Sequence, residues 1–450
     1  MPRQEIADIA AGRLIAEQLE ENFDDVSPPL DRQAALIAAQ RCLYCFDAPC
    51  IKACPTGIDI PSFIRRITTD NLLGAALDIL GANIFGGTCA RVCPTEVLCE
   101  GSCVRNRPED APVQIGALQR HATDWIFAGN VALFERGKAS GHRIAVVGAG
   151  PAGLACAHAL ARAGHDVVVF DARPKAGGLN EYGIAEYKML DFAAREIDWL
   201  LSIGGIEIRN GEALGGNLSL SDLRRDFAAV FIGVGLAAVN QLGIEGEDLV
   251  GVRNAVDFIA ELRQALDLSQ LSIGRRVVVI GGGNTAIDAS VQSRKLGAER
   301  VTLAYRRGAV QMSATFAERE FAQTQGVIFV EWVRPKRMLG SNGKVTAVEF
   351  EYTKLDADQR LVGTGERLIL PADFVLKAVG QALDDRDDSP RIEKGRIVVN
   401  ADYATSLPGV WAGGDCVGSG VDLTVQAVED GKRAAQAIDR ALAATPGDRG

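Results

Sequence analysis

The sequence predicts an α + α/β chain in which a helical N-terminal domain precedes two Rossmann-like dinucleotide-binding domains. Three observations support this fold class. Eight of the ten cysteines lie between Cys42 and Cys103, in a region whose apolar residues recur at helical spacing. Two segments with the order strand, glycine-rich turn and helix follow, at residues 143–153 and 276–286. The length of 450 residues exceeds one ordinary core, which agrees with several domains.

The composition is typical of a globular protein. Hydrophobic residues make up 47% and charged residues 24%, and no apolar run approaches the roughly eighteen residues that a membrane helix needs. The net charge of −10 repels phosphate backbones, which excludes nucleic acid as an expected partner. Residues 1–6 do not resemble a secretory signal. We therefore expect a cytoplasmic protein with no membrane partner.

Helices are predicted in the region up to about residue 140. Residues 6–21 and 31–39 carry apolar side chains at helical spacing, and Pro28-Pro29 separates the two segments. In a chain without a secretory signal, disulfides are disfavoured, whereas thiolates that hold a metal are common. The clustered cysteines therefore predict a metal-binding domain.

The spacing of the cysteines favours iron–sulfur clusters. A C-x2-C-x4-C-x3-C-P run begins at Cys42 and is close to the bacterial ferredoxin run, whose fourth cysteine ligates the other of two clusters. It departs from that run in one gap, of four residues rather than two. A second group, C-x3-C-P from Cys89 and C-x3-C from Cys99, adds enough thiolates for a second four-iron site. Zinc is the alternative metal, because paired cysteines also form tetrahedral zinc sites.

The first glycine-rich segment predicts a dinucleotide site. A strand at residues 143–147 leads into the G-x-G-x-x-G fingerprint of Gly148, Gly150 and Gly153, and a helix follows. Such glycines let the backbone turn tightly and approach a pyrophosphate that sits on the helix N-terminus. The next strand ends in Asp171, which is positioned to accept a hydrogen bond from a ribose hydroxyl.

Two further segments complete the predicted flavin site. Gly178 and Leu179 belong to a loop of the kind that lies over a flavin dinucleotide. Near the end of the chain, a short apolar strand closes with Gly414 and Asp415, and Thr424 opens a helix whose N-terminus points toward the flavin ring. Because these residues lie far from the first fingerprint, we expect a discontinuous FAD-binding domain with a second domain inserted into it.

The second glycine-rich segment predicts a nicotinamide nucleotide site. Its G-x-G-x-x-A fingerprint supplies the candidate binding residues Gly281, Gly283, Asn284 and Thr285. The next strand ends in Arg306 and Arg307, and arginines at this position accommodate a 2′-phosphate, which favours NADPH; solvated surface charge is the alternative. The predicted boundaries are residues 1–140 for the helical iron–sulfur domain, 141–255 with 381–450 for the FAD-binding domain, and 256–380 for the NAD(P)H-binding domain.

The combination resembles two families of flavoproteins, the small subunit of glutamate synthase and the electron-input half of dihydropyrimidine dehydrogenase. The stretches at residues 42–56 and 87–99 are similar to those of the pyrimidine enzyme. In that family, a glutamine sixteen residues after the last cysteine is a cluster ligand, and Gln119 stands at this spacing from Cys103. The resemblance therefore favours the separate electron-input subunit of a bacterial dihydropyrimidine dehydrogenase.

This resemblance implies the ligands of two [4Fe–4S] clusters and omits Cys89 from both sets. The first set consists of Cys42, Cys45, Cys50 and Cys103. The second set consists of Cys54, Cys93, Cys99 and Gln119. An amide oxygen in place of a thiolate leaves a cluster less negative and changes its potential.

The resemblance also implies a mechanism and a partner. NAD(P)H leaves a hydride on FAD, and single electrons pass through the two clusters to FMN on a barrel subunit that interconverts uracil or thymine with the 5,6-dihydro forms. The chain stops before such a barrel, so we expect a hetero-oligomer with an FMN-containing barrel subunit. No catalytic acid or base is expected in this chain, because the cofactors carry the chemistry.

Two residues and two alternative functions remain open. Ser313 stands where the single-chain pyrimidine enzyme has an arginine near the adenosine phosphate, and the bacterial two-subunit enzymes are associated with NADH, so the nucleotide preference is open. Lys188 aligns with a basic residue near the flavin of the pyrimidine enzyme. The small subunit of glutamate synthase and a non-catalytic electron-transfer module are the alternative functions.

Overall fold

The computed structural model describes residues 9–109, 111–383, 390–418 and 420–444. Its α-helices are α1 (Ala16–Asn22), α2 (Arg32–Gln40), α3 (Pro49–Ala53), α4 (Ile60–Thr68), α5 (Leu72–Ala82), α6 (Gly86–Val92), α7 (Asn106–Glu109), α8 (Ile115–Gly129), α9 (Pro151–Arg162), α10 (Leu179–Tyr182), α11 (Glu186–Met189), α12 (Phe192–Leu201), α13 (Leu220–Asp226), α14 (Ala255–Gln264), α15 (Asn284–Lys295), α16 (Phe316–Thr324) and α17 (Thr424–Ala444).

The strands of the same residues follow the order of the chain. They are β1 (Ile9–Ala10), β2 (Arg143–Val147), β3 (Asp166–Asp171), β4 (Ile206–Asn210), β5 (Ala229–Ile232), β6 (Ala238–Val239), β7 (Val252–Asn254), β8 (Ile273–Gly274), β9 (Arg276–Gly281), β10 (Arg300–Ala304), β11 (Ile328–Val330), β12 (Val333–Ser341), β13 (Lys344–Leu355), β14 (Leu361–Pro371), β15 (Phe374–Ala378), β16 (Gln381–Ala382), β17 (Ile392–Glu393), β18 (Arg396–Ile397) and β19 (Val410–Ala412).

The chain divides into two compact units. Unit 1 comprises Met1–Val26, Tyr182–Leu190 and Val239–Gln381. Unit 2 comprises Ser27–Glu181, Asp191–Ala238 and Ala382–Gly450. Each unit contains one five-stranded parallel sheet, and the helices that carry the clustered cysteines belong to unit 2.

Helices α2 to α8 form the cysteine-containing part of unit 2. Helices α2, α4 and α5 each begin after a residue whose side chain accepts a hydrogen bond from the backbone of the first turn, namely Asp31, Asp59 and Asn71. Their apolar faces meet around side chains such as Phe63 and Leu118, which are fully buried. These caps and this shared core explain why short helices are stable here.

The parallel sheet of unit 2 has the strand order β19-β5-β2-β3-β4. Strand β2, the turn after it and α9 form the first glycine-rich segment, and α9 leads to β3. Strand β19 comes from late in the chain and pairs with β5, with Val410 opposite Val230. Helix α17 crosses α9 so closely that a Cβ on Gly431 would clash with Ala152 O, so two helices that are far apart in the sequence share one core.

The parallel sheet of unit 1 has the strand order β11-β10-β9-β15-β7 and contains the second glycine-rich segment between β9 and α15. A three-stranded antiparallel sheet of β12, β13 and β14 accompanies it. In both parallel sheets the glycine-rich turn follows the carboxyl end of a strand, where open α/β sheets bind ligands. The predicted fold class is therefore confirmed.

One predicted helix is wrong over part of its length. The apolar spacing predicts a helix at residues 6–21, but Ile9–Ala10 forms β1, which pairs with Ile273–Gly274, and α1 begins only at Ala16. Residues 6–8 lie outside the described part of the chain. The backbone of β8 offers strand partners to this segment, and such tertiary pairing overrides local periodicity. The helix predicted at residues 31–39 is confirmed by α2.

Within the described ranges, no single helix is long and apolar enough to cross a membrane. Helices α5 and α6 reach the length and apolar composition of a membrane-spanning segment only when they are taken together, and they are bent by 87° at the break between them.

Candidate cluster and dinucleotide sites

The first predicted ligand set lines a single cavity in unit 2. The walls of this cavity include the thiols of Cys42, Cys45, Cys50 and Cys103. Apolar residues such as Ile60 form other parts of the wall. Burial raises the pKa of the Cys50 thiol to about 11, and the charges of Cys42 and Cys103 add to this shift. A positively charged metal would favour the thiolate form of Cys50. This donor set fits an iron–sulfur cluster.

The second group of cysteines lies around the end of α6. A hydrogen bond with Cys89 and burial raise the pKa of the Cys93 thiol, and the charges of Cys99 and Cys54 add to the shift. Burial likewise raises the pKa of the Cys99 thiol, with Cys54 contributing. The structure thus brings three predicted ligands together and adds Cys89, which the resemblance omits. In the described part of the chain, no three His, Cys, Asp or Glu side chains converge on a position for one metal ion.

Gln119 is buried on α8 beside this second group. Its Nε2 donates a hydrogen bond to Gly86 O at 2.7 Å, so Oε1 is the branch of the amide that remains for a metal. The start of α8 also contacts the residue that follows Cys99, because Gly116 N donates a hydrogen bond to Glu100 Oε1 at 2.9 Å. A buried amide with its donor end fixed is suited to present oxygen to a cluster.

The three glycines of the first fingerprint differ in whether the fold itself requires a glycine at that position. Gly148 has φ +102°, and a Cβ there would clash with Gly233 O. A Cβ on Gly153 would clash with Gly148 O. Gly150 has φ −81°, and the nearest atom to a Cβ there is Gly178 Cα at 3.8 Å, so neither backbone geometry nor packing demands glycine. The open space at Gly150 fits a dinucleotide approaching the N-terminus of α9.

Asp171 closes β3 next to this turn. Its Oδ2 accepts a hydrogen bond from Ala149 N at 2.6 Å, and its Oδ1 accepts one from Arg173 N at 2.8 Å. Each carboxylate oxygen has a second lone pair, which leaves capacity for a ribose hydroxyl. Gly178 has φ +54°, and its loop lies on the fingerprint, because Gly177 N donates to Ala149 O at 2.7 Å.

The sequence analysis missed Asn180, which lies next to two residues of the predicted flavin site. Asn180 follows Leu179, which is partly exposed, and the Thr424 hydroxyl donates to Asn180 Oδ1 at 3.0 Å. Asn180 is buried, and its Nδ2 has no hydrogen-bond partner among the described residues. An unsatisfied buried donor costs about 1–3 kcal/mol, so this amide fits an acceptor on a bound ligand. A lone asparagine gives no sequence signal of this role.

The Gly-Gly-Asp segment lies against the start of α9. Gly414 N donates to Asp430 Oδ2 at 3.0 Å, and a Cβ on Gly414, which has φ +78°, would approach the Cβ of Ala152 to 2.8 Å. Burial and the nearby Asp422 raise the pKa of Asp415 to about 6, with Arg396 opposing them. The carboxyl group is therefore largely ionised at neutral pH and able to accept hydrogen bonds from hydroxyl groups.

The second fingerprint shows the same difference between its glycines. A Cβ on Gly281, which has φ +158°, would clash with Ala378 O. Gly283 has φ −102°, and the nearest atom to a Cβ there is the Ser313 hydroxyl at 3.2 Å, a side chain that can move. Asn284 and Thr285 open α15, and Asn284 Oδ1 is buried without a partner in the described ranges. This turn also leaves space and an unsatisfied polar atom for a ligand.

Arg306 and Arg307 follow β10 at the carboxyl edge of the sheet. Their carbonyl groups accept hydrogen bonds from the Thr353 hydroxyl at 2.8 Å and from Trp332 N at 3.2 Å. Neither guanidinium forms an ion pair with a residue in the described part of the chain. Both positive charges are therefore available to a phosphate.

Lys188 belongs to unit 1, whereas the residues of the first fingerprint belong to unit 2. Its Nζ forms ion pairs with Asp288 at 2.8 Å and with Glu318 at 2.7 Å, and its side chain is largely buried. Asp288 lies one turn into α15, and it also accepts a hydrogen bond from the Tyr187 hydroxyl at 3.1 Å. The charge of Lys188 is thus already balanced within unit 1.

Comparison with protein families identifies the α/β part of the chain. The family described as pyridine nucleotide-disulphide oxidoreductase matches residues 142–431, which is more than half of the chain. The chain belongs to the pyridine nucleotide-disulphide oxidoreductase family. In this oxidoreductase, residues 19–131 match the family described as dihydropyrimidine dehydrogenase domain II, 4Fe-4S cluster. The prediction of an NAD(P)-dependent flavin and iron–sulfur oxidoreductase is confirmed.

Curated relatives of this oxidoreductase come from both families that the sequence resembles. It is 36% identical over 442 residues to the glutamate synthase [NADPH] small chain of Escherichia coli K12, covering 92% of this chain and 93% of the relative. It is 35% identical over 428 residues to the NAD-dependent dihydropyrimidine dehydrogenase subunit PreT of Escherichia coli O157:H7, covering 93% and 97%. The predicted resemblance is therefore confirmed.

Solved structures show the fold of the oxidoreductase part. FprA of Mycobacterium tuberculosis in complex with NADPH has a TM-score of 0.57 and 21% identity, over 67% of this chain and 85% of that one. The thioredoxin reductase of Lactococcus lactis has a TM-score of 0.51 and 20% identity, over 66% and 98%. At these identities the likeness concerns the fold alone.

Proposed function

We propose that this oxidoreductase is the NAD(P)H-oxidising subunit of a dihydropyrimidine dehydrogenase. In this proposal it delivers electrons to a separate FMN-containing barrel subunit, which interconverts uracil or thymine with the 5,6-dihydro forms. The observation that carries the proposal is Gln119, a buried amide whose Nε2 donates to Gly86 O at the start of α6 and whose oxygen accepts no hydrogen bond from the described residues. A glutamine at this spacing is what the pyrimidine enzyme uses as a cluster ligand.

The proposed cofactors are FAD and two [4Fe–4S] clusters, with NAD(P)H as the electron donor. The chemistry that these groups supply when bound is the conversion of a two-electron hydride transfer into single electrons. The chain contributes binding and orientation. The turn at Gly150 and the N-terminus of α9 would hold a pyrophosphate, Asp171 would accept from a ribose hydroxyl, and the Nδ2 of Asn180, which has no partner among the described residues, would donate to the flavin.

The same logic applies to the proposed nicotinamide site. Gly283 leaves room above the N-terminus of α15, and Asn284 Oδ1 is an acceptor without a protein partner in the described ranges. We assign no general acid or base to this chain, because hydride transfer from a nicotinamide to a flavin needs none. Exclusion of water and correct orientation of the two rings are the tasks of the protein.

The ligand sets are part of the proposal. For the first cluster they are the four thiols of the cavity, Cys42, Cys45, Cys50 and Cys103. For the second they are Cys54, Cys93, Cys99 and Gln119. Cys89 competes with Gln119 for the fourth place in the second set, because its interaction with Cys93 raises the pKa of the Cys93 thiol.

Replacing Gln119 decides between these two residues. We expect Gln119→Leu to alter the electron paramagnetic resonance signal of one cluster and to lower its occupancy, because leucine offers no donor atom. The matched variant Cys89→Ser should keep wild-type iron content and spectra. If Cys89→Ser loses the cluster and Gln119→Leu retains it, the fourth ligand is Cys89 and the assignment of Gln119 is wrong.

Replacing both arginines after β10 tests the choice of nucleotide. A charge-assisted contact with phosphate contributes about 1.5–3 kcal/mol, so Arg306→Ser with Arg307→Ser should lower kcat/KM for NADPH by roughly 10- to 100-fold. The value for NADH should change by less than about threefold, since NADH lacks the 2′-phosphate. Arg300→Ser, at the other end of β10, is the control. Equal losses with both nucleotides would exclude a contact with the 2′-phosphate.

The partner is tested by anaerobic purification of the chain with its bound proteins from native cytoplasmic extract. The complex is assayed with uracil or thymine and with each nucleotide, and its subunits are identified by mass spectrometry. An FMN-containing barrel subunit and pyrimidine-dependent oxidation of NADH or NADPH support the proposal. Recovery of neither that partner nor that activity contradicts it.

The second candidate function is the small subunit of glutamate synthase. The observation in its favour is the 36% identity to the glutamate synthase [NADPH] small chain. In the same purification it predicts a large glutamine-dependent partner and formation of glutamate. The cluster and dinucleotide sites are common to both candidates, so the partner is what separates them.

A further inference from the structure

Glu196 on α12 is a fully buried carboxylate that binds the first turn of α6. Its Oε1 accepts hydrogen bonds from Gly87 N at 2.8 Å and from Thr88 N at 3.1 Å. Its Oε2 accepts from Thr88 N at 3.2 Å and from the Thr88 hydroxyl. A side chain more than a hundred residues away thus satisfies the free N–H groups at the start of this short helix.

The side chains packed around Gly87 leave no space for a larger residue at this position. A Cβ on Gly87 would lie 2.8 Å from Glu196 Oε1, 2.7 Å from the ring of Phe127 and 2.5 Å from the ring of Phe192. Glycine at this position is therefore required by the approach of α12. A buried carboxylate is costly unless it is hydrogen-bonded, and an apolar residue of the same volume would leave the N–H groups of Gly87 and Thr88 without this acceptor. A neutral glutamine of the same shape would still offer an oxygen to these groups, so packing does not require the negative charge itself.

Helix α6 connects Glu196 to the second cluster site. Gly86 O, at the start of α6, holds the amide of Gln119, and Cys93 follows the last residue of the helix. The five residues from Thr88 to Cys93 correspond to about 7.5 Å of helix rise. The hydrogen bonds of the carboxylate are therefore about one and a half helical turns from Cys93 along α6.

On its other side, Glu196 is fixed to the sheet that bears the first fingerprint. Helix α12 precedes β4, and β4 pairs with β3 in that sheet. Phe192 on the same helix lies under the guanidinium of Arg91, whose carbon is 3.5 Å from the ring centroid. Arg91 also pairs with Asp124 on α8 at 2.6 Å. These contacts make α12 the element that joins the proposed flavin-binding sheet to the cluster-bearing helix within unit 2.

We propose that Glu196 is a positioning residue that fixes α6 against α12 and whose negative charge lowers the reduction potential of the second cluster. This inference rests on the proposed function, because it requires a cluster held by Cys54, Cys93 and Cys99. The reason is electrostatic. Adding an electron near a fixed negative charge in a medium of low dielectric is unfavourable, and the local charge is one of the means by which proteins tune such clusters.

The test is a redox titration of the full chain, purified anaerobically and followed by electron paramagnetic resonance at pH 8. Glu196→Gln keeps the shape of the side chain and removes its charge. We expect unchanged iron content, a shift of one signal to a more positive midpoint potential, and no shift of the other signal. Glu196→Asp, which keeps the charge, should restore a potential near that of the wild type.

The matched control is Glu207→Gln, which makes the same change of net charge on the exposed strand β4. Its potentials should equal those of the wild type. If Glu196→Gln carries both clusters at unchanged potentials, the inference is wrong while the proposed function stands. If the wild-type chain carries no iron–sulfur cluster, the proposed function itself fails.

A measurement on the wild type covers the case in which Glu196→Gln does not retain its clusters. Burial raises the pKa of Glu196 to about 7, with the Thr88 hydrogen bonds and Arg91 opposing this shift. Below this pH the neutral acid favours reduction, so the potential should fall as pH rises through about 7. The charged groups near this contact include Arg91 on α6, the pair of Arg120 and Asp124 on α8, and Arg195 on α12 itself, whose guanidinium lies over the Phe192 ring. A potential of the second cluster that is constant from pH 6 to 8 contradicts the inference.

Discussion

Replacing Gly150 by alanine is expected to leave the protein folded and to weaken its binding of flavin. Gly150 has φ −81° and ψ −177°, a conformation that alanine adopts freely, and a Cβ there contacts only Gly178 Cα at 3.8 Å. A Gly→Ala change at such a site stabilises a fold by about 0.4–1 kcal/mol. A pyrophosphate over the turn would nevertheless meet the new methyl group. We expect flavin affinity to fall by at least about tenfold.

The measurements are flavin content per chain, circular dichroism and thermal unfolding. Gly283→Ala in the second fingerprint is the matched variant, because its Cβ would contact only the movable Ser313 hydroxyl at 3.2 Å. That variant should keep its flavin and lose reduction of the flavin by NAD(P)H, while dithionite still reduces it. Retention of flavin by Gly150→Ala, or loss of flavin by both variants, would contradict the assignment of the two turns.

These two glycines also show which features of the fold and of the site can be predicted from the sequence. The order of strand, turn and helix could be predicted, because alternating burial, glycine spacing and helix periodicity are local properties. The sequence could not separate Gly150 from Gly148, since the atom that excludes a side chain at Gly148 is Gly233 O, which is distant in the chain. The same fingerprint therefore contains glycines required by the fold and one glycine that leaves space for a ligand.

The residues that the sequence analysis missed depend on long-range contacts. Asn180 is a candidate ligand-binding residue because its Oδ1 accepts a hydrogen bond from the Thr424 hydroxyl while its buried Nδ2 has no partner in the described ranges. Glu196 belongs to no recognisable sequence motif, and its role follows only from the hydrogen bonds that it accepts from Gly87 N and Thr88 N. The clustering of the cysteines, by contrast, is a local property of the sequence, and their role as cluster ligands is part of the proposal. Their division between two sites required a family resemblance and remains a proposal.

Replacing Cys50 by serine is expected to remove one cluster and leave the flavin half of the protein intact. Cys50 lines the cavity together with the three other proposed ligands of that site. Serine oxygen is a poor substitute for thiolate on iron, and neighbouring wall residues such as Ile64 offer no donor. Iron and acid-labile sulfide should fall to about half of the wild-type content. Flavin content and reduction of the flavin by NAD(P)H should be unchanged.

The complementary variant is Cys99→Ser, which belongs to the other proposed set. Each variant should lack a different paramagnetic signal, and both should reduce the partner subunit at least about tenfold more slowly than the wild type, since the clusters act in series. Cys416→Ser is the control, because a hydroxyl can replace the hydrogen bond of its thiol to Gly413 O. Full iron content in Cys50→Ser would mean that this thiol is not a ligand. Loss of half the iron with normal reduction of the partner would keep the ligand assignment and place that cluster outside the route of the electrons.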